Sequence, residues 1–309
     1  MSTPPSISAP PEGPVLVTGA SGFIGRHLVH RLARAGCELH GVGRGARPEG
    51  LPEDLRWHRA DLADGAAVDA LVRTVHPATV YHLASKVAGG RDLALVGPTF
   101  GANLASTVHL LTAVAEHGCT RFVQAGSLEE PEADHGASTP SSPYAAAKAA
   151  ASSYLRMFHR LYDVPVVLAR LFMVYGPGPQ DTNKLVPYVI QRLLAGEEPQ
   201  LSSGVRPVDW IYVEDVAEGL ARLGSTPGLE GGRVDLGSGQ LHTVREVVET
   251  LHQLVAPHLD PRFGGRADRT DEQVRRAAVE DTEGLLGWRP RTGLREGLAA
   301  TVEGFRSRI

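Results

Sequence analysis

The stretch Val15-Leu16-Val17-Thr18-Gly19-Ala20-Ser21-Gly22-Phe23-Ile24-Gly25 constrains the fold of this chain more than any other. An apolar run ends in glycines spaced three apart, and residues 26–32 then repeat their apolar positions at helical spacing. That order describes a buried strand, a tight turn and the start of a helix. Gly19 supplies the turn, Gly22 lets backbone approach a pyrophosphate, and Gly25 lets the helix pack closely on the strand. The helix N-terminus then presents N–H groups to an anion. Strand before and helix after make dinucleotide binding the reading of this turn.

The rest of the first half keeps alternating. Strands are expected over 15–18, 38–42, 57–60, 79–84, 121–125 and 164–171, and helices over 27–35, 66–75, 103–117 and 143–162. Such alternation implies an α/β fold, a Rossmann-like, doubly wound parallel sheet with right-handed crossovers. Ligands of such sheets bind beyond the carboxyl ends of the strands. After Leu171 the pattern changes to a Gly/Pro turn at 175–179, a helix over 183–194, a strand from 209 to 213, a strand over 233–236, and helices over 243–254 and 280–286. The expected organisation is a disordered leader at 1–13 and a dinucleotide-binding domain at 14–170 with a returning segment at about 209–240. A smaller interleaved α/β substrate domain follows at 171–208 and 241–309.

With 309 residues and a net charge of −4, the chain has no basic excess that would suit nucleic acid or an anionic membrane. No apolar run reaches the roughly 18 residues that span a bilayer. Cys37 and Cys119 sit in apolar contexts and read as buried thiols of a cytoplasmic enzyme rather than as a disulfide framework. No metal is expected.

Tyr144 and Lys148 stand four residues apart near a helix start, which puts a phenol and an ammonium on one face. A nearby cation favours the phenolate and draws the phenol toward working pH. Ser127 follows the strand at 121–125, at the sheet edge where a substrate is expected, and its hydroxyl suits a carbonyl or alkoxide. Arg44 follows the second strand, with no carboxylate before Glu49. An acidic residue in that region grips the adenosine ribose of NAD, whereas arginine accommodates a 2′-phosphate, so NADP(H) is favoured over NAD(H).

These residues resemble those of the extended short-chain dehydrogenase/reductases that act on nucleotide sugars. The likeness runs from Pro14 to Phe305. It rests on Thr18–Gly25, Tyr81-His82-Leu83-Ala84, Ser127, Tyr144-x-x-x-Lys148, Arg170-Leu171-Phe172-Met173-Val174-Tyr175-Gly176-Pro177-Gly178, Asp209-Trp210-Ile211-Tyr212-Val213-Glu214-Asp215-Val216 and Leu286-Gly287-Trp288-Arg289-Pro290. The resemblance implies that Tyr144 is the acid/base, that Lys148 holds the nicotinamide ribose and tunes Tyr144, and that Ser127 orients the substrate. It assigns the cofactor to Gly19, Ser21, Gly22, Phe23, Ile24, Gly25, Leu83 and Ala84, with Asp61 and Leu62 at the adenine edge. A nucleotide-diphosphate sugar would meet Asn183, Lys184, Arg206 and Arg269, with Lys86 in the loop that touches the sugar. Two positions depart from the pattern: Met173 stands where the family has Asn, and Val208 where it has Arg, with Arg206 a candidate substitute.

The reaction turns on the residues after Ser127. The family's 4,6-dehydratases place an Asp and then a Glu there; this chain has Leu128-Glu129-Glu130. Gly126-Ser127-Leu128-Glu129-Glu130 is similar instead to a segment of GDP-4-keto-6-deoxymannose reductases. Together with Arg44, it makes NADPH-dependent reduction of a 4-keto-6-deoxy sugar at C4 the leading expectation. The alternatives are a 4-epimerase with tightly held cofactor, a 4,6-dehydratase with Glu129 as base, and a non-catalytic dinucleotide-sensing module. The complete Ser127, Tyr144 and Lys148 set speaks against the last. The family also implies a homodimer in which helices 103–117 and 144–162 pair into a four-helix bundle.

Overall fold

The computed structural model describes residues 10–131, 139–268 and 273–307. The chain divides into two compact units: residues up to Leu171 with Ala217–Val234, and Phe172–Val216 with the residues from Asp235 onward. The returning segment of the first unit is therefore narrower than 209–240.

The first unit is built on β1 (Val15–Thr18), α1 (Phe23–Arg34), β2 (Leu39–Gly43), β3 (Arg56–Arg59), α2 (Gly65–Val75) and β4 (Thr79–His82). A helical stretch follows: a 3-10 turn at Leu93–Leu95, α3 (Val96–Thr99), a π-helical turn at Phe100–Ala105, and α4 (Ser106–His117). Then come β5 (Arg121–Ser127), α5 (Pro143–Tyr162) and β6 (Val166–Leu171). Strands β1 to β6 pair in parallel, and with β9 (Arg233–Leu236) they form a seven-stranded sheet ordered β3-β2-β1-β4-β5-β6-β9. The order reverses between β1 and β4, the switch point at which doubly wound sheets bind ligands. Leu16, Val80, Phe122, Leu110, Leu111 and Leu155 lie in one core cluster of this unit.

The second unit holds β7 (Met173–Tyr175), α6 (Leu185–Leu194), β8 (Pro207–Tyr212), β10 (Leu241–Thr243), α8 (Val244–Val255), α9 (Val279–Leu286) and α10 (Leu294–Arg306). Strand β8 lies between β7, parallel, and β10, antiparallel. Helix α7 (Val213–Leu223) starts directly from β8 and leads into the returning segment. Trp210, Val248, Leu251 and Leu298 anchor the core of this unit. Among the described residues, no helix is long and apolar enough to cross a membrane.

Several elements extend beyond their expected bounds for local reasons. Helix α1 begins at Phe23 rather than 27, because Gly22 serves as its extended N-cap and the chain turns helical directly after it. Strand β5 runs on to Ser127, pairing Gly126 and Ser127 with Arg170 and Leu171, so the serine is the last residue of the strand. Strand β4 stops at His82, and the expected 83–84 are loop. The helical stretch reaches back to Leu93, ten residues before 103, and its π turn carries one extra residue that rotates Asn103 toward the loop after β4. Helix α10, unexpected from the sequence, buries Leu298 and Val302 at helical spacing. Of the expected disordered leader at 1–13, residues 10–13 are described, and Pro11 is buried beside Gly224.

Helix α5 keeps the bounds 143–162. Ser142 caps it by accepting from the Ala145 N–H at 3.1 Å, Pro143 occupies the first turn, and Asp163 closes it in the left-handed region. This rigid element carries both Tyr144 and Lys148.

Candidate active site

The glycine turn closes the carboxyl end of β1. Gly19 adopts φ +70°, and a Cβ there would press on the backbone of Leu83 and Ala84. A Cβ on Gly25 would overlap the carbonyl oxygen of Gly19. The turn is closed by the Gly22 N–H donating to Gly19 O at 2.9 Å. Helix α1 has Gly22 at its N-cap, no side-chain cap and no acidic residue in its first turn. The backbone is thus open to a diphosphate at the positive end of a helix dipole, and this cradle fits a dinucleotide. Gly22 is exposed, while Ser21, Phe23 and Ile24 are half-buried around it.

Across the switch point, Thr18 and His82 end neighbouring strands, and their side chains meet with Oγ1 to Nδ1 at 2.7 Å. The Ala84 N–H donates to Thr18 Oγ1 at 3.1 Å. His82 Nε2 lies 3.3 Å from Ser106 Oγ, whose hydroxyl donates to Ala102 O. Donors and acceptors along this chain balance with a neutral imidazole that carries its proton on Nε2. Burial, and secondarily the charge of Lys148, drives the His82 pKa down to about 3. Asn103, at 1 % exposure, holds the next stretch of the loop: its Oδ1 accepts from Lys86 N–H and Ser85 Oγ, and its Nδ2 donates to Lys86 O. Asn103 and His82 position this loop; the sequence offered only a polar residue inside an apolar helix as a signal for the first. Leu83 and Ala84 are half-buried at the strand end, while the Lys86 side chain is exposed.

Ser127, Tyr144 and Lys148 come together at the end of β5. The Ser127 hydroxyl hydrogen-bonds the Tyr144 phenol, which favours the phenolate. Burial acts more strongly the other way and pushes the phenol above its ordinary value, with Glu129 and Glu130 adding to the rise. Lys148 stands one helical turn from Tyr144, on the face that the spacing suggested. Its Nζ lies 6.0 Å from the Tyr144 ring centroid and donates to the Ala125 carbonyl at 2.7 Å. Burial lowers the Lys148 ammonium to about 8, against the opposing pull of Glu130. Glu129 is half-buried, and its N–H donates to Ser127 Oγ at 3.1 Å. Leu128 is buried, and its N–H donates to Leu171 O.

At the ends of β2 and β3, the exposed Arg44 and Arg59 are joined by the Arg59 Nε–H donating to Arg44 O at 3.0 Å. Two guanidiniums at adjacent strand ends suit a phosphate. Asp61 is exposed and accepts from the Ala63 N–H, while the carbonyl of Leu62 lies 3.0 Å from His109 Nδ1.

In the second unit, Asn183 is exposed and bonded to Asp181 Oδ1, and Lys184 is the N-cap residue of α6. Arg206 donates to Gln273 O at 3.4 Å. Arg269 lies outside the described residues. Val208 is buried in the core of the unit, and Met173 is half-buried on β7. Asp209, 1 % exposed, is a structural centre: its carboxylate accepts from the N–H groups of Ser238, Gly239 and Ala277 and from the Ser238 hydroxyl. Asp215 likewise accepts from the N–H groups of Arg291 and Thr292.

Residues 15–237 match the model of a family described as the NAD dependent epimerase/dehydratase family. A UDP-glucose 4-epimerase of Mycolicibacterium smegmatis is 32% identical over 318 residues, covering 95% of this chain and 98% of that protein. A dTDP-glucose 4,6-dehydratase of an Actinoplanes species is 30% identical, covering 95% and 98%. Among solved structures, the UDP-glucose 4-epimerase of Thermus thermophilus in complex with NAD superposes with a TM-score of 0.82 at 30% identity, covering 96% of this chain and all of that one.

The buried imidazole carries a pH signature. Its pKa falls from an ordinary 6.5 to about 3 on folding, so below pH 6.5 the unfolded chain binds a proton that the folded chain does not. Stability from this group is therefore complete above pH 6.5 and is lost as pH falls toward about 3, by an amount on the order of a few kcal/mol. Urea unfolding of the wild type and His82→Gln at about pH 7 and about pH 4.5 should show a smaller acid loss in the variant; parallel losses would contradict it.

Proposed function

Because this chain belongs to the NAD dependent epimerase/dehydratase family, within the extended short-chain dehydrogenase/reductase group, we propose that it is a nucleotide-sugar 4-epimerase that oxidises and re-reduces C4. Its relatives are NAD(P)-dependent enzymes acting on nucleotide sugars, and they support epimerisation better than the ketoreduction expected from Gly126–Glu130. The observation that carries the reading is the buried aliphatic Leu128, which directly follows Ser127 at the carboxyl end of β5, beside the buried Tyr144. Removing water across C5 and C6 needs an acid for the departing hydroxyl. Leu128 has no proton to give, and Glu129 alone supplies only a base.

Gly19, Ser21, Gly22, Phe23, Ile24 and Gly25 would hold the cofactor diphosphate, Asp61 and Leu62 the adenine, and Leu83, Ala84, Tyr144 and Lys148 the nicotinamide riboside. When bound, the cofactor would supply a reversible hydride acceptor for C4. Tyr144, in its phenolate form, would take the proton of the C4 hydroxyl as that carbon is oxidised and give it back from the phenol on reduction, while the Ser127 hydroxyl steadies the oxygen. Burial of Tyr144 excludes water from the exchange. Asn183, Lys184, Arg206 and Arg269 are proposed contacts to the nucleoside diphosphate, and Lys86 to the sugar.

Incubation with UDP-hexoses and mass balance by chromatography test the reading. Isomerised sugar without net cofactor turnover supports it; stoichiometric NADPH consumption with a 4-keto-6-deoxy sugar nucleotide would move the assignment to ketoreduction. Tyr144→Phe should lower kcat by about 100-fold or more, and Lys184→Ala and Arg206→Ala should raise KM. The absence of any turnover by the wild type across UDP-, dTDP- and GDP-sugars would reject the reading.

Arg44 and Arg59 support NADP(H) as the preferred cofactor, although the Thermus thermophilus relative was solved with NAD. A charge-assisted bond from arginine contributes about 1.5–3 kcal/mol. Arg44→Asp should therefore weaken NADP+ binding by roughly ten- to hundredfold relative to NAD+, read by fluorescence titration. An unchanged NADP+/NAD+ ratio would refute the preference.

Homodimerisation through the long helices is also proposed. Val96 and Phe100 are 46% and 56% exposed on the 93–117 stretch, and with Ala146 and Ala150 of α5 they line a groove of about 610 Å³. Sedimentation velocity should show a dimer that Phe100→Glu dissociates; a monomeric wild type would refute it.

A further inference from the structure

The turn after β5 carries two adjacent glutamates, and only Glu130 is buried (9% exposed). Its Oε1 accepts from the Ser127 backbone N–H at 2.7 Å, and its Oε2 accepts from the Ser152 hydroxyl at 2.5 Å. The Glu130 N–H also donates back to Ser127 O at 3.2 Å. One carboxylate therefore ties the last residue of β5 to α5, one turn beyond Lys148. Space for it exists because position 126 is glycine: a Cβ there would come within 2.8 Å of Glu130 Oε1.

A buried carboxylate is costly unless its charge is answered. Its polar contacts include an N–H and a hydroxyl, while the ammonium of Lys148 is buried nearby and interacts with it favourably. The groups facing Lys148 are Tyr144 from its own helix, Glu130 from the turn after β5, and His82 from β4, kept neutral by burial; Glu129 acts on Tyr144. Among these, Glu130 is the one that stabilises the charged form of Lys148.

We propose that Glu130 is a positioning residue of the active site: its buried carboxylate locks the Ser127 turn onto α5 through Ser152, one helical turn beyond the buried Lys148, and so fixes the charge environment in which Lys148 meets the Ala125 carbonyl. Glu129, the neighbouring glutamate, is only half-buried, and its backbone N–H meets the Ser127 hydroxyl oxygen. The role of Glu130 is to fix where Ser127 and Lys148 stand, not to touch substrate. It rests on the reading of Ser127, Tyr144 and Lys148 as the reacting set.

The test separates charge from shape and does not depend on knowing the substrate. The chain has three lysines, Lys86, Lys148 and Lys184, so protein labelled with 13C at lysine Cε gives few signals, assigned with Lys86→Arg and Lys184→Arg. In the wild type, Lys148 should titrate near 8. Glu130→Gln keeps the shape and hydrogen-bonding capacity but removes the charge, and should move that midpoint to lower pH. Glu130→Asp and Ser152→Ala keep the charge and should leave it close to the wild-type value. Should Glu130→Gln fail to fold, Glu130→Asp still judges the anchor. Its carboxylate is too short to reach both Ser127 and Ser152, so it should lower kcat with little change in KM.

If the UDP-hexose assay gives turnover, Glu130→Gln should lower kcat by on the order of tenfold and shift the alkaline limb of the pH profile downward, with KM nearly unchanged. An unmoved Lys148 midpoint in Glu130→Gln, or wild-type kcat in both Glu130 variants, would overturn the proposal. Failure of the wild type to turn over any nucleotide sugar would count against the reaction reading, leaving the lysine titration to decide the role of Glu130.

Discussion

No Cβ fits between Gly25 and the carbonyl oxygen of Gly19, and the dinucleotide end of the first unit depends on that close approach. It lets α1 start immediately after β1, with its N-terminus facing outward and no side chain capping it. The same turn brings Gly19 against the backbone of Leu83 and Ala84, so the ends of β1 and β4 are held together where the strand order reverses. Thr18 and His82 complete the junction by a hydrogen bond that a neutral imidazole alone satisfies. Backbone contact, strand order and one buried histidine thus hold the N-terminus of α1 and the carboxyl ends of β1 and β4 together at the switch point, where doubly wound sheets bind ligands.

Burial governs the chemistry beside it. Tyr144, Lys148 and His82 are nearly or fully removed from water, and in each case desolvation is the largest influence on protonation. It raises the phenol and lowers the ammonium and the imidazole, all in the direction of neutral groups. A hydrogen-bonding hydroxyl and a carboxylate oppose this in part: Ser127 favours the phenolate and Glu130 favours the ammonium, while burial remains the larger influence on both. A helix of 20 residues, started by Ser142 and Pro143, carries both Tyr144 and Lys148.

Motifs that mark the family do not all act at a site. Asp209 and Asp215, within the segment that helped to identify the family, gather backbone N–H groups of the second unit. They hold loops in place as a helix cap holds its first turn, because a buried N–H needs an acceptor. Val208 and Met173, which depart from the family pattern, occupy core and half-buried strand positions. Leu128 is the departure with chemical weight. An aliphatic side chain there has no proton to give or take.

Much of the architecture was legible from period and punctuation alone. The glycine turn, the alternation of apolar runs with helical stretches, and the Ser142-Pro143 start of α5 are local signals, since each depends on residues close in the chain. The grouping of Tyr144 with Lys148 is equally local, one helical turn apart. What the linear order could not decide was how those groups influence one another. The net influence on Tyr144 was not legible because it depends on burial, and the further partner of Lys148, the Ala125 carbonyl, is supplied by another strand. Asn103 was missed because a π turn, visible only in three dimensions, aims it at the loop after β4. The division of roles between Glu129 and Glu130 was hidden for the same reason: adjacent carboxylates look alike in a sequence, and only the packing of α5 on β5 decides which one is enclosed. Local pattern sets secondary structure; desolvation and long-range hydrogen bonds, which set the protonation of a site, exist only once the chain has folded.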